Sequence, residues 1–206
     1  MIFMELSGKN VGLALTGSFC TYEKAFQTLE GLKNAGANLY PILSDAAQHI
    51  SSRFGTPKDY LDRVTAITGH DPILTIETAE PLGPSSFFDV LAIVPCTGNT
   101  AAKLANGITD GPVLMAAKAH LRTGKPLVIA ISTNDGLGMN LKNIGLLFNS
   151  KSIYFVPFGQ DNWVKKPNSL VARLDLLKPT LEHALEHKQY QPVLISYPAA
   201  PSRKES

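Results

Sequence analysis

Glycines and small polar side chains follow four apolar segments of the sequence, and this combination could hold a phosphate group. The four tracts are Thr16-Gly17-Ser18-Phe19, Ser44-Asp45, Pro95-Cys96-Thr97-Gly98-Asn99-Thr100 and Ser132-Thr133-Asn134-Asp135. Backbone N–H groups, hydroxyls and the positive end of a helix dipole together bind phosphate without a lysine. The tracts therefore predict a lysine-free anion site, although a Ser or Thr in such a position also serves as an ordinary helix cap.

The first tract differs from a dinucleotide-binding loop. A site for a nicotinamide dinucleotide has G-x-G-x-x-G at the first turn and an acidic residue that closes the second strand. Here the first turn reads TGSFCT, and Ser44 follows the second strand ahead of Asp45. The sequence therefore predicts a mononucleotide rather than NAD.

An alternation of strands and helices would bring the four tracts together. Apolar runs predict strands at 10–15, 37–43, 87–94, 126–132 and 153–157, and helical spacing predicts helices at 23–34, 100–106, 112–122, 141–148 and 169–187, the last interrupted at Pro179. This order indicates a three-layer, Rossmann-like or flavodoxin-like doubly wound parallel α/β sheet. We expect a single domain over residues 1–190 and a C-terminal tail over 191–206. Ligands of such sheets bind outside the carboxyl ends of the strands, where all four tracts lie.

The overall charge of the chain argues against a polyanionic partner. The 206 residues include 19 Lys and Arg and 17 Asp and Glu, which gives a net charge of +2. This balance supplies no broad attraction to nucleic acid or to an anionic membrane. Two cysteines are too few for a disulfide scaffold, and no apolar run approaches the ~20 residues of a membrane span. We expect a cytoplasmic protein.

Three other residues could carry chemistry, and each has a plainer interpretation. Cys96 could be a nucleophile, but no histidine is near it in the sequence, so a packing role is favoured. Asp110 is expected to cap a helix that starts near Pro112. His70 is expected to be a solvated loop residue.

The C-terminal third of the sequence offers a possible metal pair and a possible lid. His183 and His187 are spaced i, i+4, but Glu182 and Glu186 beside them favour a solvated helix face, and no metal site is expected. The tract FGQDNWVKKP at 158–167 holds the only Trp. It could be a lid over the ligand, an oligomer contact or a surface loop.

The third tract extends into the motif of a known family. Residues 95–110 read PCTGNTAAKLANGITD. They resemble the pattern P-x-S/T-x-N-T followed by A-K-L/I/V-A-x-G-I-x-D of the homo-oligomeric flavin-containing cysteine decarboxylases and related FMN proteins. The resemblance spans residues 9–160 and includes the first tract, Ser44 and Asn134.

This resemblance implies an FMN site built from the four tracts. The first loop and the hydroxyl after the second strand would hold the phosphate, and the loops of Asn99 and Asn134 would line the flavin ring and the substrate. The implied cofactor-binding residues are Thr16, Gly17, Ser18, Phe19, Ser44, Cys96, Thr97, Asn99, Thr100, Ser132 and Asn134. Asn99 is also the implied catalytic residue, because its amide could donate to a substrate carboxylate or to the flavin edge.

One branch of the family resembles the chain most, through LTGSFCTYEKAF, ISTNDGLGMNLKNIGLLFN and YFVPFGQDNW. In that branch a flavoprotein-type polypeptide works together with a separate one that carries the nicotinamide site. The resemblance implies oxidation of a dihydropyridine dicarboxylate to an aromatic diacid in the mother cell of a sporulating bacterium. It also implies a homo-oligomer, a trimer or larger.

Two departures from the family pattern leave alternatives open. The decarboxylase branch has an active-site histidine before the third tract, where residues 74–82 read LTIETAEPL without one. Ile131-Ser132-Thr133-Asn134 stands in place of the family's Pro-x-Met-Asn. The alternatives are an FMN-dependent decarboxylase, an enzyme like a flavin prenyltransferase, and a non-catalytic partner that stabilises the nicotinamide-binding polypeptide.

Overall fold

The structure is a computed structural model, and it describes residues 5–196. Seven strands form one sheet: β1 (Asn10–Leu15), β2 (Asn38–Leu43), β3 (Val90–Cys96), β4 (Leu127–Thr133), β5 (Ile153–Phe155), β6 (Phe158–Gly159) and β7 (Leu170–Ala172). Helices cover both faces: α1 (Tyr22–Asn34), α2 (Asp45–His49), α3 (Pro57–Thr68), α4 (Ile76–Ala79), α5 (Gly98–Ala105), α6 (Pro112–Leu121), α7 (Asn140–Phe148) and α8 (Leu177–Leu185). Short 3₁₀ turns lie at Phe19–Thr21, Glu80–Leu82 and Leu174–Leu176.

The centre of the sheet is parallel and doubly wound, which confirms the predicted α/β class. β1 pairs in parallel with β2 on one side and with β3 on the other, and β4 and β5 continue from β3. The chain therefore reverses its direction of travel across the sheet between β1 and β3. A reversal of this kind opens a crevice at the carboxyl ends of the two strands, where ligands bind.

The sheet is mixed rather than wholly parallel, and its antiparallel part corrects the predicted helix at 169–187. β7 pairs antiparallel with the last two residues of β4, and β6 pairs antiparallel with β7. The helix α8 starts only at Leu177. Pro179 does not interrupt it, because the residue lies in the first turn, where a backbone N–H has no intrahelical acceptor.

The structure corrects the predicted bounds of the strand before the third tract and of the helix after it. The predicted strand at 87–94 begins only at Val90 and runs on through Cys96, so Pro95 and Cys96 belong to the strand. The helix predicted at 100–106 begins at Gly98, because Thr97 caps it by accepting a hydrogen bond from the backbone N–H of Thr100.

The described chain stays attached to the sheet beyond residue 190. The Phe158 N–H donates to the Val193 carbonyl at 2.9 Å, and the Ile195 N–H donates to the Phe158 carbonyl at 3.1 Å. The part of the predicted tail from 197 to 206 lies outside the described residues. Among the helices within residues 5–196, none has the length and apolar character needed to cross a membrane.

A histidine is buried near the amino-terminal end of β4. His120 lies on α6 with 2% of its surface exposed, and its Nε2 lies 2.9 Å from the Pro126 carbonyl, to which the neutral ring donates. Burial lowers the pKa of His120 to about 4. The neutral form is therefore the one that the folded protein holds at neutral pH.

His120 is expected to make the folded state less stable in mild acid. Its pKa in the unfolded chain is near 6.5, so the unfolded state binds more protons between pH 6.5 and pH 4, and stability falls as the pH falls through this window. The upper limit of the loss is roughly 3 kcal/mol. His120→Gln keeps a donor but does not titrate, so urea unfolding at several pH values should show a shallower pH dependence. Parallel curves for variant and wild type would contradict the assignment.

Candidate functional site

Two adjoining cavities open at the carboxyl ends of β1, β3 and β4. The larger has a volume of about 800 Å³ and the smaller about 330 Å³. Gly17, Thr97 and Asn99 line both. The structure thus brings all four polar tracts to one crevice, at the point where the doubly wound sheet leaves room for a ligand.

Hydroxyl groups of the smaller cavity keep hydrogens available for a ligand. Ser44 accepts a bond from the Ala47 N–H at 3.4 Å as the cap of α2, so its own O–H hydrogen is not used in that bond. The Thr97 and Thr100 hydroxyls lie 2.9 Å apart. One bond between two hydroxyls uses one of their two hydrogens, and the other can be donated. The cavity can therefore offer donors to an anion.

The smaller cavity is not free of lysine, which corrects the sequence-based expectation. Lys103 lines it, and its Nζ lies 2.6 Å from Asp110 Oδ2. The bond from Lys103 lowers the pKa of Asp110. Asp110 therefore does not cap the helix at Pro112, since Gly111 occupies the cap position.

The Thr16 side chain joins two strand ends instead of facing a ligand. Its hydroxyl donates to the Pro95 carbonyl at 2.7 Å and accepts from the Thr97 N–H at 3.0 Å. Thr16 is 1% exposed and lines neither cavity. This side chain therefore fixes the end of β1 against the end of β3, and its contact with a ligand stays a prediction.

Cys96 also lies behind the cavity wall. The side chain is fully buried at the end of β3, and burial raises the pKa of its thiol to about 12. A thiol with that pKa stays protonated and is a poor nucleophile. The side chain packs in the core, as the plainer interpretation of the sequence expects, and its contact with a cofactor stays a prediction.

Three hydroxyls form the floor of the larger cavity. Ser132 Oγ lies 2.8 Å from both Ser18 Oγ and Thr21 Oγ1, which ties the loop after β1 to the end of β4. Phe19 forms part of the wall and stacks on Tyr60, with ring centroids 5.4 Å apart. Asn134 lines the same cavity and is exposed.

Asn140 belongs to this site, and sequence reasoning missed it. Its Nδ2 donates to Asp135 Oδ2 at 3.2 Å, its Oδ1 accepts from Asn143 at 3.0 Å, and its side chain lines the larger cavity. The available signal was the dipeptide Met139-Asn140, which matches the Met-Asn that the family motif places after this strand. The strand predicted at 126–132 is followed directly by Thr133-Asn134, so the pattern indicated Asn134 instead.

Charged residues of the larger cavity were missed as well. They come from three separate segments and are Lys24, Arg53, Asp161 and Lys166. The last two belong to the tract at 158–167, which therefore borders the ligand cavity. No short motif surrounds any of the four, because a single charged side chain in a loop has no sequence pattern of its own.

The histidines do not contribute to the site. His70 Nδ1 lies 2.9 Å from the Leu39 carbonyl, and its ring stacks on Tyr40 with centroids 4.3 Å apart, so it is held against β2. His183 Nδ1 lies 2.8 Å from the Pro179 carbonyl. Within the described part of the chain no group of three or more His, Cys, Asp or Glu side chains could hold a metal ion.

The fold and the site define a flavoprotein-type α/β domain, and comparison with known proteins agrees. The family model described as Flavoprotein matches residues 4–171, and the chain belongs to that family. The chain is 48% identical over 191 residues to the B component of dipicolinate synthase from Bacillus subtilis (strain 168), which covers 93% of this chain and 96% of the relative. The predicted resemblance is confirmed.

One solved structure and one further relative extend the comparison. The crystal structure of the B component of dipicolinate synthase from Bacillus halodurans has a TM-score of 0.86 and 48% identity, over 94% of this chain and 99% of that one. The flavin prenyltransferase UbiX of Archaeoglobus fulgidus is 33% identical over 63% of this chain and 70% of the relative.

Gly98 is expected to be required by the close approach of α5 to the loop after β4. A Cβ at this position would lie 2.5 Å from Asn140 Nδ2 and 2.6 Å from Thr133 Oγ1. Gly98→Ala should therefore lower the free energy of unfolding by about 1–3 kcal/mol, measured by urea denaturation. Gly145→Ala is the matched control, since a Cβ there meets nothing within 4 Å and should stabilise α7 by about 0.5–1 kcal/mol. Equal effects of the two changes would contradict the packing described.

Proposed function

We propose that this chain is the flavoprotein-type B component of dipicolinate synthase, which acts with the A component to oxidise dihydrodipicolinate to dipicolinate during sporulation. The observation that carries the proposal is the pair of joined cavities at the switch point of the sheet, with Asn99 at their border. The 48% identity to a B component over 93% of the chain supports the choice of reaction.

FMN is the cofactor that the two cavities fit best. Gly17, Ser44, Thr97 and Thr100 of the smaller cavity, with Ser18 of the larger one, would hold the phosphate through backbone amides and hydroxyls. Lys103 is engaged by Asp110, and Asp45 is exposed to solvent at the rim, so hydroxyl and amide donors would carry most of the binding. The larger cavity, with Phe19, Ser132 and Asn134 in its wall, has room for the flavin ring beside a small substrate. A bound flavin supplies a two-electron acceptor for hydride.

The reaction requires the protein to orient the substrate more than to supply a strong base. Oxidation of a dihydropyridine removes a hydride and a proton, and the aromatic ring that forms makes the overall step favourable. The side chains then need to hold the diacid in one position and stabilise its carboxylates. Asn99 is the proposed catalytic residue, because it lines both cavities and its amide can donate to a carboxylate or to the flavin edge.

The partners follow from the same proposal. The A component of dipicolinate synthase would carry the nicotinamide site, which agrees with the lack of a dinucleotide loop after β1. We place the complex in the cytoplasm of the mother cell and expect this chain to form a trimer or a larger homo-oligomer. Neither nucleic acid nor a membrane is expected as a partner.

Two other enzymatic functions and one structural function compete with this one. A flavin prenyltransferase activity is favoured by the 33% identity to UbiX of Archaeoglobus fulgidus, although that likeness covers 63% of the chain. A cysteine decarboxylase activity is disfavoured, because residues 74–82 contain no histidine at the place where the decarboxylase branch has its active-site histidine. In a non-catalytic role the cleft would only stabilise the A component. That role differs from both enzymatic functions, because it predicts that the turnover of the complex does not depend on Asn99.

Replacement of Asn99 separates catalysis from scaffolding. Asn99→Ala should lower the turnover of the complex with the A component by roughly 10²-fold, because one preorganised donor is lost. Asn106→Ala is the matched control: this residue ends the same helix, its side chain donates to the Ala102 carbonyl, and it lines neither cavity. Size-exclusion chromatography verifies assembly in each case. Full activity of an intact Asn99→Ala complex would favour the scaffold role.

The cofactor is tested separately. The purified chain should show flavin absorbance or take up added FMN, followed by fluorescence quenching. A protein that binds no FMN while the complex with the A component is active would remove the cofactor from the proposal and leave the reaction in place.

A further inference from the structure

Three cationic side chains line the larger cavity, and they reach it from three parts of the chain. Lys24 lies on α1, Arg53 lies between α2 and α3, and Lys166 follows β6. In the described part of the chain, six other Lys or Arg side chains are bound in ion pairs with Asp or Glu. Within residues 5–196 none of these three forms such a pair. Arg53 lies over the Phe54 ring at 4.8 Å, a contact that does not neutralise its charge.

The acidic residues of the cavity do not neutralise this group of cations. Asp135 accepts a hydrogen bond from Asn140 Nδ2, which leaves it engaged with its own loop. Asp161 also lines the cavity, and its Oδ1 is buried without a hydrogen-bond partner. Three cations against two carboxylates leave a formal excess of positive charge. Asp175 is near Lys24, but Arg173 lies 2.7 Å from it and is its principal partner.

We propose that Lys24, Arg53 and Lys166 bind the two carboxylates of a ring dicarboxylate in the larger cavity and so determine the specificity for a diacid. The proposal rests on the proposed function and adds the residues that recognise its substrate. Cations on separate segments can contact carboxylates at different positions of one ring from different sides of the cavity. A monocarboxylate of the same ring has one carboxylate fewer to offer the three cations and binds more weakly.

Removing the charge of Asp161 should change diacid binding in the opposite direction to removing a cation. Its carboxylate lines the same cavity and repels a dianion, so Asp161→Asn should strengthen binding of the diacid. Loss of a cation should weaken it. A purely structural disturbance of the cavity would weaken binding in both cases, so opposite signs identify an electrostatic effect.

The experiment titrates pyridine-2,6-dicarboxylate into the full chain by calorimetry, with pyridine-2-carboxylate as the monoanion. Lys24→Gln, Arg53→Gln and Lys166→Gln should each raise the Kd for the diacid by about 3–10-fold, and Asp161→Asn should lower it by about 3-fold. The three effects should shrink as salt is added. Lys118→Gln, at an exposed lysine of α6 outside both cavities, is the matched control and should leave the Kd unchanged.

Failure of this proposal is distinguishable from failure of the proposed function. Equal Kd values for wild type and the three cation variants would overturn the proposal, as would a wild-type chain that does not bind the diacid. If the complex with the A component turns over its substrate in either of those cases, the proposed function stands without it. Charge-dependent diacid binding in an inactive complex would support the binding site and overturn the function.

Discussion

The hydroxyl of Thr16 is the contact on which the geometry of the whole site depends. It bonds to the Pro95 carbonyl and to the Thr97 N–H, and so holds the end of β1 at a fixed distance from the end of β3. Thr97 in turn caps α5 and directs Asn99 toward both cavities. A second group of hydroxyls, Ser18, Thr21 and Ser132, ties the same loop to β4. Polar bonds between strand ends therefore connect β1, β3 and β4 at the floor of the crevice.

The two cavities differ in charge although they share a wall. The smaller one holds the Lys103–Asp110 pair and an exposed Asp45, so its affinity for an anion must come from neutral donors. The larger one has an excess of cations that no carboxylate of the described chain engages in an ion pair. Under the proposed function, this separation would keep a nucleotide phosphate in the smaller cavity and a dicarboxylate in the larger one.

The sequence predicted the parallel part of the sheet and the meeting of the four tracts, because apolar runs and strand-end polar residues are local patterns. It did not predict β7, since the short strand Leu170–Ala172 is defined by its pairing with β4 and carries no period of its own. The same limit applies to Arg53 and Lys166, which the fold brings to the cavity from loops. Thr16 and Cys96 were assigned to the ligand because sequence position indicates a strand end but not the direction of a side chain.

The antiparallel strands β6 and β7 and the loop between them form a different part of the site from the parallel strands. The parallel strands β1 to β4 and their turns build the floor of both cavities, whereas the outer wall of the larger one includes Asp161, Lys166, Ser169 and Val171, which come later in the chain. A wall made by a separate stretch of polypeptide can be exchanged during evolution while the floor is kept. A change confined to residues 161–171 would thus alter the lining of the larger cavity and leave the parallel strands unchanged.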